Sequence, residues 1–312
     1  MFEKAAELIA SDNTVIIHRH TNPDGDAIGA QAGLRHLIND NFPGKKVYIV
    51  GDSPKRYSFM DDSDPDTIGD DTYRGALAVI LDTSSAALIS DDRWKLAGHT
   101  LRIDHHIFCE KIADDEITDT SYESCCGIVA DMARTLGWRL GVTAAKSLYT
   151  GMVTDSGRFR YDSVTPRTFG LAAYLTSVKF DTGSIFTELY ADTYQNVLNR
   201  AKFVLKIRFT EKGTAYIYNT KEEVAQSGLE PFAVSRGMVG TMAELRGVYI
   251  WTNFTETDEG VWCEIRSSKY NVNPIAVKYG GGGHQKASGC TLKDRAEAMA
   301  LLNDLDALQC AE

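Results

Sequence analysis

The chain has 312 residues, 43 % of them hydrophobic and 24 % charged, with a formal net charge of −10 at pH 7. That length suits two globular domains. The chain lacks both the apolar run of roughly 18 residues that a membrane helix needs and the basic stripe with which proteins grip long duplex nucleic acid. The opening residues Met1 to Glu7 are amphipathic and acidic, without the apolar centre of a secretory signal, so a cytoplasmic protein is expected.

In chain order, short β-branched runs alternate with helical stretches up to about residue 154. Strands are predicted at Thr14 to Ile17, Lys46 to Val50, Ala76 to Leu81 and Thr100 to Ile103. Helices are predicted from about Ala27 to Asn39 and from Ser124 to Leu136, where Ile128, Val129, Met132, Ala133 and Leu136 share one side. This alternation predicts an α/β fold with a doubly wound, mostly parallel sheet. Helical segments follow at Thr143 to Val153, Thr165 to Ser177, Thr182 to Ala191 and Thr193 to Lys206, the last read as a connector. Beyond it, strands at Ile207 to Thr210, Ala215 to Asn219, Gly247 to Phe254 and Gly260 to Arg266 precede helices at Val272 to Tyr279 and Asp294 to Leu308. The expected division is a first domain over 1–195, a helical linker over 196–207 and a smaller α/β domain over 208–312.

Four acid or histidine clusters close predicted strands or apolar segments. They are His20, Asp24 and Asp26 after Thr14 to Ile17; Asp82 after Ala76 to Leu81; Asp104-His105-His106 after Thr100 to Ile103; and Asp155 after Leu148 to Val153. In open α/β sheets, ligands gather at the carboxyl ends of strands, so the four clusters are expected to meet. Asp24, Asp26 or Asp82 alone would read as a helix cap or a turn residue, but a cap needs one acid and leaves His20 unexplained. Oxygen and imidazole donors without a thiolate favour Mn²⁺ or Mg²⁺ over structural zinc. The donors exceed what one ion needs, and two ions sharing a carboxylate are characteristic of phosphate-ester hydrolysis.

These ordered motifs resemble those of the DHH phosphoesterase superfamily. Arg266-Ser267-Ser268, Asn273-Pro274-Ile275-Ala276 and Gly280 to His284 resemble the DHH-associated domain of one branch. The likeness runs along nearly the whole chain and is nearest to the two-domain oligoribonucleases (nanoRNases) that also act on 3′-phosphoadenosine-5′-phosphate (pAp). It implies that His20 and Asp24 hold one metal, that Asp26, His105 and Asp155 hold the other, and that Asp82 bridges them. It assigns His106 to acid/base work, with Asp104 orienting its neighbours. Ser156 stands where relatives often carry Thr, and Ser288 where Ala is usual.

Gly280 to Gly283 fit neither a Walker loop nor a dinucleotide fingerprint. Against a merely flexible loop, His284, Lys286 and Ser288 follow at once. Glycines let backbone amides approach a phosphate, and an arginine grips it with two bonds. The resemblance therefore makes Arg266, Ser267, Ser268, Gly281, Gly282, Gly283 and His284 the residues that hold the nucleotide. Arg158, Phe159, Arg160 and Tyr161 fit either base or phosphate binding or simple packing.

The expected activity is Mn²⁺-dependent release of 5′-mononucleotides from short RNA, with removal of the 3′-phosphate of pAp as a second activity. Cleavage of linear di-adenylate (pApA) and non-catalytic nucleotide binding are the alternatives. The expected partners are a short oligonucleotide or nucleoside bisphosphate, with no membrane and no long duplex, and a homodimer stays open. Six cysteines form no Cys-x-x-Cys pair and read as buried apolar residues in a reducing compartment.

Overall fold

The structure, a computed structural model, describes residues 2–309. The chain divides into two compact units, Met1–Ala191 and Asp192–Glu312.

The first unit is built on five parallel strands in the order β2-β1-β3-β4-β5. They are β1 (Thr14–His18), β2 (Lys46–Ile49), β3 (Leu77–Leu81), β4 (His99–Asp104) and β5 (Asp115–Thr118). Central β3 is buried at every position, as a parallel strand covered on both faces must be, so its sequence is an unbroken apolar run. On β1 the side chains alternate: Val15 and Ile17 enter the main core, while Ile16 joins a smaller cluster with Val50, Tyr73 and Ala76. Six helices accompany the sheet: α1 (Glu3–Ser11), α2 (Gly25–Asn41), α3 (Cys125–Thr135), α4 (Val142–Asp155), α5 (Pro166–Thr176) and α6 (Thr182–Tyr190). A capping box of Thr165 with Thr168, and Pro166 in the first turn, fixes the start of α5.

The pairing that positions the site is α2 against α4. Gly25, Gly29 and Gly33 recur every fourth residue and so share one face of α2. A Cβ on Gly29 would lie 2.6 Å from the Ser147 carbonyl oxygen, and one on Gly151 would lie 2.2 Å from Cys126 Sγ. Glycine is required there by the closeness of the helices. That closeness brings Asp26, at the start of α2, to Asp155, at the end of α4.

In the first unit, helix α1 and strand β5 go beyond the predicted set. As the predicted helix at Thr143 to Val153 requires, Leu148 to Val153 belong to α4, and Asp155 is its last residue.

The second unit carries a six-stranded mixed sheet, β10-β11-β9-β8-β7-β6. Its strands are β6 (Arg208–Phe209), β7 (Ala215–Asn219), β8 (Ile250–Thr257), β9 (Gly260–Ser267), β10 (Gly282–His284) and β11 (Ala287–Leu292). Only β7 and β8 pair in parallel. The helices are α7 (Tyr194–Leu205), α8 (Lys221–Ser227), α9 (Asn273–Lys278) and α10 (Arg295–Gln309), with one π-helical turn at Ala233–Gly237. Strand β9 alternates strictly: Val261, Cys263, Ile265 and Ser267 are buried, while Trp262, Glu264 and Arg266 are on the open face. Ala298, Leu301, Leu302 and Leu305 of α10 join the core beneath. Part of the glycine segment, for which no strand is predicted, is the edge strand β10 paired with β11.

No helix among the described residues is long and apolar enough to cross a membrane. The five described cysteines are free. Cys125, Cys126 and Cys263 are buried as expected, but Cys109 is exposed, since it lies in the open loop after His106. Cys310 lies outside the described residues.

Candidate metal centre

Strand ends β1, β3 and β4 and the facing termini of α2 and α4 bring the acids and histidines of the first unit together. Three groups of donors lie within 4.8 Å: His20, Asp24 and Asp82; Asp26, His105 and Asp155; and Asp82, His105 and His106. Asp82 and His105 each belong to two groups, so the donors form one continuous cluster.

Each donor is held by its own local device. Asp24 caps α2, its Oδ1 accepting from the Asp26 and Ala27 amides at 3.0 and 3.1 Å. The cap and ligand readings of this residue are therefore compatible. His20 Nδ1 lies 2.7 Å from the Thr21 carbonyl oxygen. In the neutral ring that contact places the hydrogen on Nδ1 and leaves the Nε2 lone pair for a cation. Asp26 is almost wholly buried and accepts the Cys125 and Cys126 amides at 2.7 and 2.9 Å, so the N-terminus of α3 clamps it. Asp82 has φ +50, a left-handed backbone that Asp adopts more readily than most residues. Its amide continues the ladder to the Ile103 oxygen at 3.1 Å, which fixes that turn at the strand end.

The electrostatics are those of a site short of positive charge. Burial alone would lower the pKa of His20, but Asp24 and Asp82 outweigh it and push it up to about 10. His105 behaves likewise: burial opposes, yet Asp82, Asp26 and Asp155 raise it to about 10. Burial lifts Asp155 to about 6, aided by Asp82 and Asp24. Burial and the same crowding of carboxylates raise Asp26 well above its ordinary range. Asp82 goes the other way, because His105 and His20 overcome its burial. Asp82 Oδ1 is buried without a hydrogen-bond donor, although His105 Nε2 is 3.4 Å away. A buried acceptor left in that state costs about 1–3 kcal/mol. The donor set fits divalent cations, which would supply the missing charge and a partner for Asp82 and would take the place of the imidazole protons.

His106 sits at the edge of the cluster, its side chain 44 % exposed. Its Nδ1 is 2.7 Å from Asp104 Oδ1, and this bond is the main cause of its raised pKa. Asp104 is fully buried; its own pKa is lowered because His106 and Arg102 together outweigh burial. Arg102, also fully buried, donates from Nη2 to Asp104 Oδ2 at 2.5 Å. The sequence reading omits Arg102. Its only signal is its position two residues before Asp104, which puts both side chains on one face of β4.

The predicted substrate residues lie in the second unit. Arg266, Gly281, Gly282, Gly283 and His284 line an open pocket of about 770 Å³. Gly283 has φ +130, and Gly281 packs so closely that a Cβ would lie 2.1 Å from the Gly289 oxygen. Ser267 and Ser268 are not among the pocket's lining residues. The Ser267 hydroxyl is spent on the turn, donating to the Tyr249 oxygen at 2.8 Å and accepting the Lys269 and Tyr270 amides at 3.1 and 2.7 Å. The Ser268 amide bonds the same Tyr249 oxygen at 3.1 Å.

Models of the DHH family N-terminal domain and of the DHHA1 domain match residues 14–152 and 222–309. The chain is 32 % identical over 304 residues to the bifunctional oligoribonuclease and PAP phosphatase NrnA of Bacillus subtilis, covering 96 % of each. The chain belongs to the DHH family. A second DHH relative, the bifunctional oligoribonuclease and PAP phosphatase NrnA of Mycoplasma genitalium, is 31 % identical over 96 % of this chain and 95 % of its own. The crystal structure of an exopolyphosphatase-related protein from Bacteroides fragilis has the same fold, with TM-score 0.83 at 23 % identity over 98 % of this chain and 95 % of that one.

Proposed function

We propose that this DHH protein is a metal-dependent phosphoesterase that releases 5′-mononucleotides from short oligoribonucleotides and removes the 3′-phosphate of pAp. The observation that carries the reading is the continuous donor cluster joined through Asp82 and His105, in a chain akin along its length to proteins named for those two activities. His20, Asp24 and Asp82 would hold one Mn²⁺, and Asp26, His105 and Asp155 the other, with Asp82 common to both. Such a pair, when bound, activates a water and neutralises the departing oxygen. His106 is the acid/base residue, since Asp104 orients its ring and favours the protonated form that can donate to the leaving group. Arg102 keeps Asp104 ionised and fixed. Arg266, the glycines and His284 hold the nucleotide's phosphate.

The test is product analysis with purified protein and Mn²⁺ on di- to pentaribonucleotides, pAp and pApA. Mononucleotide release that disappears in Asp82→Ala and His105→Ala, with folded circular-dichroism spectra, supports the reading. Efficient turnover of pApA alone would replace it with the linear-dinucleotide activity. Tight nucleotide binding with no hydrolysis would overturn it.

A further inference from the structure

The open face of β9 carries more than a phosphate grip. Arg266, Glu264 and Trp262 share that face, four residue steps or roughly 13 Å of strand from end to end. Their partners on β11 are Ala287, Gly289 and Thr291. Three small side chains beside three large ones leave a trough over β11, and all six residues line the pocket. A phosphate occupies only the Arg266 end of such a trough.

The wall of the trough is built. Asn253 of β8, fully buried, donates from Nδ2 to the carbonyl oxygens of Val234 and Ser235 at 2.7 and 2.8 Å. It thereby pins the π-helical turn, a rare conformation that recurs at functional sites, against the sheet. The turn presents Phe232 and Arg236 to the pocket. The Arg236 guanidinium carbon stands 5.4 Å from the Phe232 ring centroid. Arg236 Nε is held by Glu264 Oε1 at 3.0 Å, while Glu264 Oε2 holds Arg266 at the same 3.0 Å. One carboxylate thus spaces two arginines. Phe232 is 60 % exposed and contributes little to the core, so an aromatic plate backed by a guanidinium stands open beside the trough.

We infer that the Phe232–Arg236 plate is the nucleobase subsite, on which the base of the nucleotide held at Arg266 stacks. The inference rests on the reading that this pocket takes the substrate's nucleotide. It assigns Phe232 as a specificity residue: stacking on an aromatic ring tolerates every base, because each has a π face. The trough therefore separates nucleotides from base-free sugar phosphates and is indifferent to sequence. Trp262 stands on the same face at the end remote from Arg266.

The experiment compares binding of AMP and of ribose 5-phosphate to the full chain by calorimetry, for wild type, Phe232→Ala and Phe232→Tyr, beside hydrolysis of a diribonucleotide. Wild type is expected to bind AMP more tightly than ribose 5-phosphate. Phe232→Ala should weaken AMP about tenfold, leave ribose 5-phosphate unchanged and keep the melting temperature. It should raise KM for the diribonucleotide with little change in kcat, and Phe232→Tyr should restore both readouts. Equal binding of the two ligands by wild type, or wild-type AMP affinity in Phe232→Ala, overturns the inference. Selective AMP binding without hydrolysis would overturn the proposed activity and leave the subsite standing.

Discussion

The two units hold their polar groups in opposite ways. In the first, the central donors Asp26 and Asp82 are buried and over-determined: Asp26 is clamped by two amides of α3 and Asp82 is fixed in a left-handed turn, while the more exposed Asp24 is held as the cap of α2. In the second, Arg266, Glu264 and Trp262 stand half-exposed on an open strand face, positioned by alternation and by one pinned turn. Burial makes the first site intolerant, because any lost partner leaves a charge stranded in low dielectric. Exposure makes the second tunable, since a changed contact there is replaced by water. Chemistry that needs fixed charge belongs in the first setting, and recognition of varied ligands belongs in the second.

The contrast can be broken at five places, in order of effect. Asp82→Ala or His105→Ala should abolish Mn²⁺-dependent hydrolysis of a diribonucleotide; turnover at the wild-type rate would dissolve the intolerant site. Asp104→Asn should lower kcat about 10–100-fold with KM little changed, as loss of a residue that orients a catalytic group does. An unchanged kcat would remove Asp104 and Arg102 from the machinery. At the open pocket, Arg266→Lys keeps the charge but loses the fork that grips phosphate through two bonds, so KM should rise about tenfold at constant kcat.

The fourth test concerns the α2–α4 contact. Gly151→Ala gains up to about 1 kcal/mol of helix propensity, but overpacking against Cys126 and Asp26 costs about 1–3 kcal/mol. A lower melting temperature and weaker Mn²⁺ binding are expected, whereas Gly170→Ala on α5, with only Arg134 Nη1 at 3.8 Å, should stabilise. The effect that is smallest at neutral pH, and grows only in acid, is on stability. Fully buried His18 has its pKa lowered from 6.5 to about 4, chiefly by burial and against the pull of Asp91. A group whose native form is neutral stabilises above its unfolded pKa. That contribution, on the order of 3 kcal/mol, should be lost as pH falls from about 6.5 to about 4. Denaturant titrations of His18→Leu should show a flatter acid limb; the same slope as wild type would refute the assignment.

The donors of the first unit are legible in the sequence because three of them or their neighbours end parallel strands, and a parallel sheet sends those ends to one edge. Asp155 is legible by residue type and by its place at the end of a predicted helix, but its approach to the other donors is not, since that helix is close to the sheet edge only through the glycines of α2. The spacing of Gly25, Gly29 and Gly33 is visible in the chain; which helix it admits is not. Arg102 is hidden because a buried arginine looks like any strand residue until its carboxylate partner is placed. The Phe232–Arg236 turn depends on Asn253, some twenty residues away on another strand, and no local pattern announces it. Ser267 shows the opposite failure: the residue type fits a phosphate contact, yet its hydroxyl is consumed by the turn it sits in.

The backbone at Asp82 also constrains how this protein can drift. Its φ of +50 admits Gly, Asn and Asp with little penalty and excludes β-branched residues. A descendant that surrendered its chemistry while keeping its fold would therefore carry Asn or Gly at this position far more readily than Val or Ile. A single letter there would distinguish a retired enzyme from a working one before any assay was run.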